Sequence, residues 1–170
     1  MLDLGLFGGG AVGPTSDVVT SGQLLVALGV KRIAAVADVG LQTSRLGEVG
    51  FARVQVSTQW ASLSGRVRFV PTERLELEGS LGVRGWRFEA VSNSPVASTV
   101  VFGIGGVATL GASLRVAGPV ALHARAYGSL RSQSDRFVLA NVGPVIELQP
   151  WELGLLIGIE VRAVGFHEAR

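Results

Sequence analysis

The chain has 170 residues, of which 48% are hydrophobic and only 16% are charged, with a formal net charge of +2. A soluble domain usually carries about 25% charged residues, so the chain is unusually apolar and its composition excludes disorder. The absence of cysteine excludes a disulfide framework, and the balanced charge is not that of a nucleic-acid-binding surface. No run of about 20 apolar residues predicts a spanning helix.

Alternation of apolar and polar residues is the dominant pattern along the chain. In 74–84, apolar positions such as Leu75 and Leu77 alternate with polar positions such as Glu76 and Glu78. Strict alternation of this kind predicts a β-strand with one apolar and one polar face. No segment shows helical periodicity, so the chain is predicted to be all-β. The predicted strands lie near 2–12, 22–30, 33–42, 51–70, 74–88, 99–116, 120–140 and 152–166.

Short and long connections alternate between these strands. Such alternation is typical of antiparallel membrane barrels, in which short turns lie on one side and longer loops on the other. The short connections are Lys31-Arg32, Pro71-Thr72-Glu73 and Ala117-Gly118-Pro119, and the longer ones lie near 13–21, 43–50, 89–98 and 141–151.

Two of the predicted strands lose their alternation once. In 51–70 the polar residues change parity near Trp60-Ala61, which predicts a β-bulge. In 120–140 the change falls at Ser132–Arg136, where a true turn is also compatible with the sequence. Splitting both segments would give ten strands, which is the alternative to an up-and-down barrel of eight.

The distribution of charge decides which face of the barrel is inside. A soluble barrel exposes charge and fills its interior with apolar side chains, whereas a membrane barrel presents its apolar face to lipid. Here the apolar face is nearly free of charge, and the other face mixes small residues with charges of both signs. The sequence therefore predicts a transmembrane β-barrel with a lumenal charge network of Asp3, Asp38, Arg66, Arg68, Glu76, Glu78, Arg84, Arg115, Arg125, Arg131, Glu160 and Arg162.

Aromatic residues cluster at the predicted strand ends, as expected of belts at the two membrane interfaces. The predicted short-turn belt contains Phe69 and Phe166. The predicted long-loop belt contains Trp60, Phe88, Phe102, Phe137 and Trp151.

The last strand, LGLLIGIEVRAVGF, ends on Phe166. With this strand and its overall pattern, the chain resembles the small outer-membrane β-barrels of the OmpA and OmpX type at the level of architecture. The resemblance implies a monomer in the outer membrane of a Gram-negative envelope, inserted by machinery that recognises the strand ending at Phe166. We expect a barrel over 1–166 followed by a tail over 167–170. No signal peptide is visible in 1–15, so the chain is either cytosolic or the mature part of an exported protein, and the barrel pattern favours the second.

Sequence motifs that would indicate catalysis, nucleotide binding or metal binding are weak. Glycine patterns at Gly8-Gly10-Gly13 and Gly103-Gly105 imitate a dinucleotide fingerprint, but neither is followed by a helical segment and an acid at the required distance. His123 lies close to a short turn, and we expect it to be a hydrogen-bonded lumenal residue rather than a metal ligand. The sequence predicts no enzyme, no catalytic residue, no metal site and no cofactor.

The function predicted from these patterns is that of an outer-membrane barrel with a plugged polar lumen and a structural, anchoring or envelope-interaction role. A narrow channel is the first alternative and a soluble ligand-binding barrel the second. The identity of a protein partner is not encoded in a recognisable motif. Eight strands enclose little more than their own side chains, which argues against an open pore.

The turn at Pro71-Thr72-Glu73 predicts a strand register. A three-residue loop would place Val70 opposite Arg74, so that Arg66 lies opposite Glu78 and Arg68 opposite Glu76. A slip by one residue would turn these charges toward lipid. The register predicted from the hydrophobic pattern is therefore also the one that forms ion pairs.

Overall fold

A computed structural model describes residues 1–12, 18–30, 32–49, 52–93, 96–132, 136–139, 143–147 and 149–163. All regular elements in these ranges are β-strands. The described ranges contain no helix long and apolar enough to cross a membrane.

Ten strands are described, and eight of them close into one antiparallel barrel. The barrel order is β1-β10-β7-β6-β5-β4-β3-β2, and β8 with β9 forms a separate two-stranded sheet. The predicted all-β, eight-stranded antiparallel barrel is therefore confirmed. The strands are β1 (Leu2–Val12), β2 (Val18–Val30), β3 (Ile33–Val49), β4 (Ala52–Phe69), β5 (Leu75–Asn93), β6 (Val96–Ala117), β7 (Val120–Arg131), β8 (Arg136–Leu139), β9 (Gly143–Glu147) and β10 (Trp151–Ala163).

The prediction of one long strand over 120–140 is wrong. The strand β7 ends at Arg131, and the chain then forms the β8–β9 hairpin before β10 returns to the barrel. The loss of alternation near Ser132 thus marks a strand end, and the extra pair of strands does not enlarge the barrel. The end of the predicted barrel, 164–166, and the predicted tail, 167–170, lie outside the described residues.

The β-bulge predicted near Trp60-Ala61 is also wrong. Strand β4 pairs without a register shift through this region on both sides, and Trp60 lies opposite Gly40 on one strand and Trp86 on the other. The polar residues Gln55 and Gln59 point outward. The parity change therefore arises because the outward-facing residues of β4 change from apolar, as at Leu63, to polar, as at Gln59, while the inward-facing positions stay the same.

The strands at the long-loop end are longer than predicted. Strands β5 and β6 contain 19 and 22 residues, whereas crossing a bilayer requires about 9–11. Much of the segments 43–50 and 89–98, predicted as loops, is consequently strand. The barrel wall extends well beyond the length that a membrane would cover.

The register predicted for β4 and β5 is wrong by two residues. Arg68, not Arg66, lies opposite Glu78, and Arg66 lies opposite Ser80. The connection is wider than three residues, and within it the Leu75 N–H donates to Thr72 Oγ1 at 3.0 Å. A slip of two preserves the face on which every side chain lies, so the predicted inside and outside remain correct.

The exterior of the barrel carries a continuous apolar belt. Alternate residues of each barrel strand face outward, and many are large hydrophobic side chains that are more than half exposed. Exposed apolar residues in soluble monomers are usually single or in small patches, whereas here they occur on every strand of the barrel. Members of the belt from around the barrel are Leu6, Leu24, Leu28, Ile33, Leu41, Leu63, Val67, Leu81, Phe102, Ile104, Leu110, Leu130, Leu153 and Ile157.

The aromatic belts are only partly as predicted. Phe69, Phe102 and Trp151 face outward and are at least 40% exposed. Trp60 and Phe88 instead point into the lumen, where they are almost completely buried. The side chains of Phe137 and Phe166 lie outside the described residues.

Candidate functional site: the charged lumen

The inward-facing residues of the barrel strands form two groups of charged side chains. We name them by the end of the barrel that they occupy. The short-turn cluster consists of Asp3, Arg66, Arg68, Glu76, Glu78, His123, Arg125, Glu160 and Arg162, and the long-loop cluster consists of Asp38, Ser62, Arg84, Tyr127 and Glu152.

Asp3 joins β1 to two arginines of β4. Its Oδ2 atom accepts a hydrogen bond from Arg66 at 2.5 Å and another from Arg68. Glu160, on β10 beside β1, lies 2.9 Å from Arg68 and 3.5 Å from Arg66. Since β1 and β4 are not neighbours in the barrel, these contacts cross the lumen rather than follow its wall.

Glu78 connects β5 to β4 and β7. It accepts hydrogen bonds from Arg66 at 3.2 Å and from Arg125 at 3.0 Å. The imidazole of His123 lies between two carboxylates, with Nε2 3.3 Å from Glu78 and Nδ1 3.2 Å from Glu160. An imidazolium, which carries an N–H on both nitrogens, can donate toward both carboxylates at once.

Arg162 closes the cluster near the short turns. Its guanidinium donates hydrogen bonds to Glu76, to Glu160 at 3.1 Å and to the Ser113 hydroxyl at 2.9 Å. Charges in the described short-turn cluster balance without His123, because four carboxylates face four guanidinium groups. This balance limits the cost of burying so many ions in a closed interior.

Gly111 makes room for the histidine. A Cβ atom at this position would lie 2.6 Å from His123 Nε2 and 3.1 Å from the side chain of Glu78. Any larger residue at position 111 would therefore disturb the contacts of the imidazole with Glu78 and Glu160.

The Glu78–His123–Glu160 group resembles a metal site by residue type, because its ligand atoms lie within 4.8 Å of one another. Its geometry does not fit one. The two carboxylates approach opposite nitrogens of the ring. An ion held by one nitrogen and the carboxylate beside it would therefore leave the second carboxylate at the other nitrogen, on the far side of the ring. Arg66 and Arg125 already neutralise the same carboxylates, so a divalent cation would add uncompensated positive charge.

The long-loop cluster is organised around Arg84. Its guanidinium lies 3.8 Å from Asp38 and 3.9 Å from Glu152, and it stacks over the rings of Trp60 and Tyr127. Such cation–π contacts stabilise a partly desolvated guanidinium. The two carboxylates are held in turn by hydroxyl groups, Asp38 by Ser62 at 2.5 Å and Glu152 by Tyr127 at 2.6 Å.

The structure places the twelve residues predicted for the lumenal network in the two clusters and at two further locations. Eight lie in the short-turn cluster, and Asp38 and Arg84 lie in the long-loop cluster. Arg131 is buried further toward the loops, where its guanidinium stacks on Phe88 and donates to the Gln149 carbonyl. Arg115 is the exception, because it lies at the rim with 51% of its side chain exposed and only approaches Glu76, at 3.8 Å.

The prediction omitted Glu152 and Tyr127, although both lie on segments that were recognised as strands. Alternation places Glu152 in phase with Glu160, which could have revealed it.

The apolar side of the lumen was missed as well. It is formed by inward-facing residues of β1, β2, β3 and β10, among them Phe7, Leu25, Val36 and Leu156.

Phe7 links this apolar side to the charges. Its ring lies 5.1 Å from the Arg125 guanidinium and 5.2 Å, edge to face, from His123.

The side chains of the short-turn cluster do not form a nucleophile–base pair suited to catalysis. Ser113 lies opposite His123 across β6 and β7, but its hydroxyl accepts from Arg162. Both residues are buried. In the described part of the lumen, this arrangement holds the charged side chains in place through ion pairs and hydrogen bonds.

Comparison with known proteins identifies the class to which this fold belongs. No family model and no curated protein sequence matches the chain. Solved structures do match over almost the whole chain, and they are small outer-membrane β-barrels. The chain therefore has the fold of that class.

Three of these structures illustrate the likeness. A major outer membrane protein from Thermus thermophilus superposes with a TM-score of 0.69 at 14% identity, covering 95% of this chain and 99% of that one. Neisserial surface protein A gives 0.67 at 11%, covering 95% and 96%. The outer membrane protein OprG from Pseudomonas aeruginosa gives 0.66 at 12%, covering 95% of each chain.

Proposed function

We propose that this protein is a transmembrane barrel of the outer membrane, closed by its lumenal charges, with a structural, anchoring or envelope-interaction role. The observation that carries the proposal is the distribution of side chains, which is the reverse of that in a soluble barrel: large apolar side chains lie outside and charged ones inside. In water this exterior would be costly, at roughly 25 cal/mol per Å² of apolar surface. In a bilayer the same surface contacts hydrocarbon.

The closed lumen is the finer part of the proposal. Support comes from the ion pairs that join β1, β4, β5, β7 and β10 across the interior, and from the complete burial of Arg66 and Glu160. Eight strands leave space for side chains and little else. A narrow channel, the first alternative, would require these contacts to separate.

A soluble carrier, the second alternative, would need an apolar interior and a polar exterior. The belt of exposed leucine, isoleucine and valine argues against it. The proposal includes no enzymatic activity. Recognition of the terminal strand by the outer-membrane insertion machinery stays a prediction, because Phe166 lies outside the described residues.

The membrane assignment is tested by folding the chain with and without detergent. In detergent micelles we expect a β-rich monomer that migrates differently on gels before and after boiling, and in plain buffer we expect aggregation. A monodisperse, folded monomer in plain buffer would overturn the assignment.

A further inference from the structure

Six inward-facing side chains in the long-loop half of the barrel carry buried polar atoms without a hydrogen bond in the part of the chain that the structure describes. We call these residues the polar patch. The atoms are Ser21 Oγ, Gln23 Oε1, Asp38 Oδ1, Gln42 Oε1, Trp60 Nε1 and the Nε and Nη1 atoms of Arg84. All six residues are buried. Buried polar groups in folded proteins are nearly always hydrogen-bonded, because leaving one unpaired is costly.

Strand pairing places the polar patch on one continuous part of the inner wall. Ser21 lies opposite Gln42, and Gln23 lies opposite Gly40. On its other side, Gly40 lies opposite Trp60. The patch therefore extends over β2, β3 and β4, and Arg84 on β5 joins it by stacking over the Trp60 ring.

Gly40 lies at the centre of the patch. Asp38 and Gln42 are the next inward-facing residues on either side of it along β3. A Cβ atom at Gly40 would overlap Cε2 of Trp60, the ring carbon that is bonded to Nε1. The indole N–H therefore lies close to Gly40, among the strand positions of Gln23, Asp38 and Gln42.

Donors and acceptors of the patch lie near one another without pairing directly. Trp60 Nε1 and the Arg84 guanidinium can only donate, and the Asp38 carboxylate can only accept. The nearest Arg84 nitrogen is 3.8 Å from Asp38 Oδ1, which is beyond hydrogen-bond distance, and the other oxygen of Asp38 accepts from Ser62. A molecule that both donates and accepts could bridge these groups.

The chemistry of the patch selects a small neutral hydroxyl compound. A cation would face the guanidinium of Arg84, and an anion would face the carboxylate of Asp38. The faces of the Trp60 ring are covered by Gly40 and by the Arg84 guanidinium, 5.3 Å from the ring centre, so a sugar could not stack on the indole. Water meets these requirements, and a buried water typically makes about three hydrogen bonds to such groups.

We propose that ordered water molecules bind at the polar patch and join Trp60 and Arg84 to Gln23, Asp38 and Gln42. Water-mediated hydrogen bonds then hold this part of the wall, whereas direct ion pairs hold the short-turn cluster. The inference goes beyond the proposed function, because it concerns how the long-loop half of the lumen is filled.

The first test is nuclear magnetic resonance of the nitrogen-15-labelled full chain folded in detergent micelles. The chain has 3 tryptophans, and Trp60→Phe assigns the indole N–H signal of Trp60. We expect a cross-relaxation peak between this proton and water. The rotating-frame spectrum separates it from proton exchange, because the two effects have opposite signs.

The Q23L/Q42L double variant removes two of the groups that would hold the water, so the peak should be lost or weakened several-fold. Gln55→Leu is the matched control, because it removes an exposed glutamine from the outer face of β4 and should leave the peak unchanged. Absence of the peak in the wild type would overturn the proposal, and so would an undiminished peak in Q23L/Q42L.

The second test is the sign of a stability change in Gln42→Leu alone. If water satisfies the buried amide, leucine removes hydrogen bonds and the midpoint of urea unfolding should fall. If the amide is unsatisfied, leucine removes a costly buried group and the midpoint should rise. A raised midpoint would overturn the proposal.

Discussion

Arg66 donates a hydrogen bond to Glu78 at 3.2 Å, although the two residues are diagonal and not opposite neighbours on β4 and β5. Glu78 lies directly opposite Arg68 but is 4.0 Å from its nearest guanidinium nitrogen. Long side chains can reach diagonal positions in a sheet. In this barrel the lumenal ion pairs are therefore set by packing across the interior as much as by strand register.

The coupling of Arg66 and Glu78 gives the first prediction. Removal of one partner leaves a buried charge uncompensated, so Arg66→Leu and Glu78→Leu should each lower the free energy of unfolding by about 3–5 kcal/mol. The double variant should recover about 0.5–3 kcal/mol of the summed loss. Recovery is only partial, because Arg66 also contacts Asp3 and Glu78 also contacts Arg125.

Urea unfolding of the protein refolded into lipid vesicles measures this cycle. Strictly additive losses would mean that the two side chains do not interact, in conflict with the observed hydrogen bond.

The apolar belt gives the second prediction. Leu81 lies near the middle of the apolar stretch of β5 and is 73% exposed. Leu81→Arg should destabilise the protein in vesicles by about 2–4 kcal/mol, the cost of an arginine near the bilayer midplane. Ser57→Arg, a substitution on the polar exterior above the belt that lies opposite Glu89, should cost less than about 1 kcal/mol. Equal costs at the two positions would contradict the placement of the belt.

The third prediction compares two glycines, of which only Gly40 is in close contact with an aromatic ring. The Trp60 ring lies over Gly40, so that a Cβ atom at Gly40 would overlap it, whereas Gly65 has open space around its Cα. Gly40→Ala should therefore destabilise by about 1–3 kcal/mol, and Gly65→Ala should be neutral or slightly stabilising. Similar behaviour of both variants in the same unfolding titration would place the Trp60 ring elsewhere.

The orientation of the tryptophans gives the fourth prediction. Trp151 faces outward, while Trp60 and Trp86 are buried inside the barrel. Brominated lipids quench tryptophans that they can contact, so Trp151→Phe should remove most of the quenching of the reconstituted protein. Trp60→Phe is the control and should leave the quenched intensity nearly unchanged. If Trp60→Phe removed as much quenching as Trp151→Phe, Trp60 would face lipid.

The sequence predicts the faces of the strands far better than their partners. Alternation alone placed Asp3, Glu78 and Glu160 on the inner face, because the period of a strand is two residues whatever its register. The register itself depends on the turn, and the wide connection around Thr72 shifted every pair of β4 and β5 by two. Turn width depends on local hydrogen bonds that the hydrophobic pattern does not encode.

Strand ends were harder to predict than strand cores, for a physical reason. Trp60 and Phe88 were expected at an interface because aromatic residues concentrate there. The strands instead continue beyond the apolar belt, and both residues occupy inward-facing positions, where their rings are buried. The same extension explains the outward Gln55 and Gln59. Which residues meet across the lumen, such as Asp3 and Arg66, could not be predicted from the sequence, because barrel closure brings distant strands together.

The most direct test of the closed membrane barrel is the conductance of the reconstituted protein. The sample should first be shown to be folded by its heat-dependent migration on gels, and then be incorporated into planar bilayers. Arg66, Arg84 and their carboxylate partners are buried inside the barrel, and the proposed closed lumen therefore predicts no steady conductance above that of the bare bilayer. Regular, long-lived open-channel steps from the folded protein would contradict the closed lumen and favour the channel.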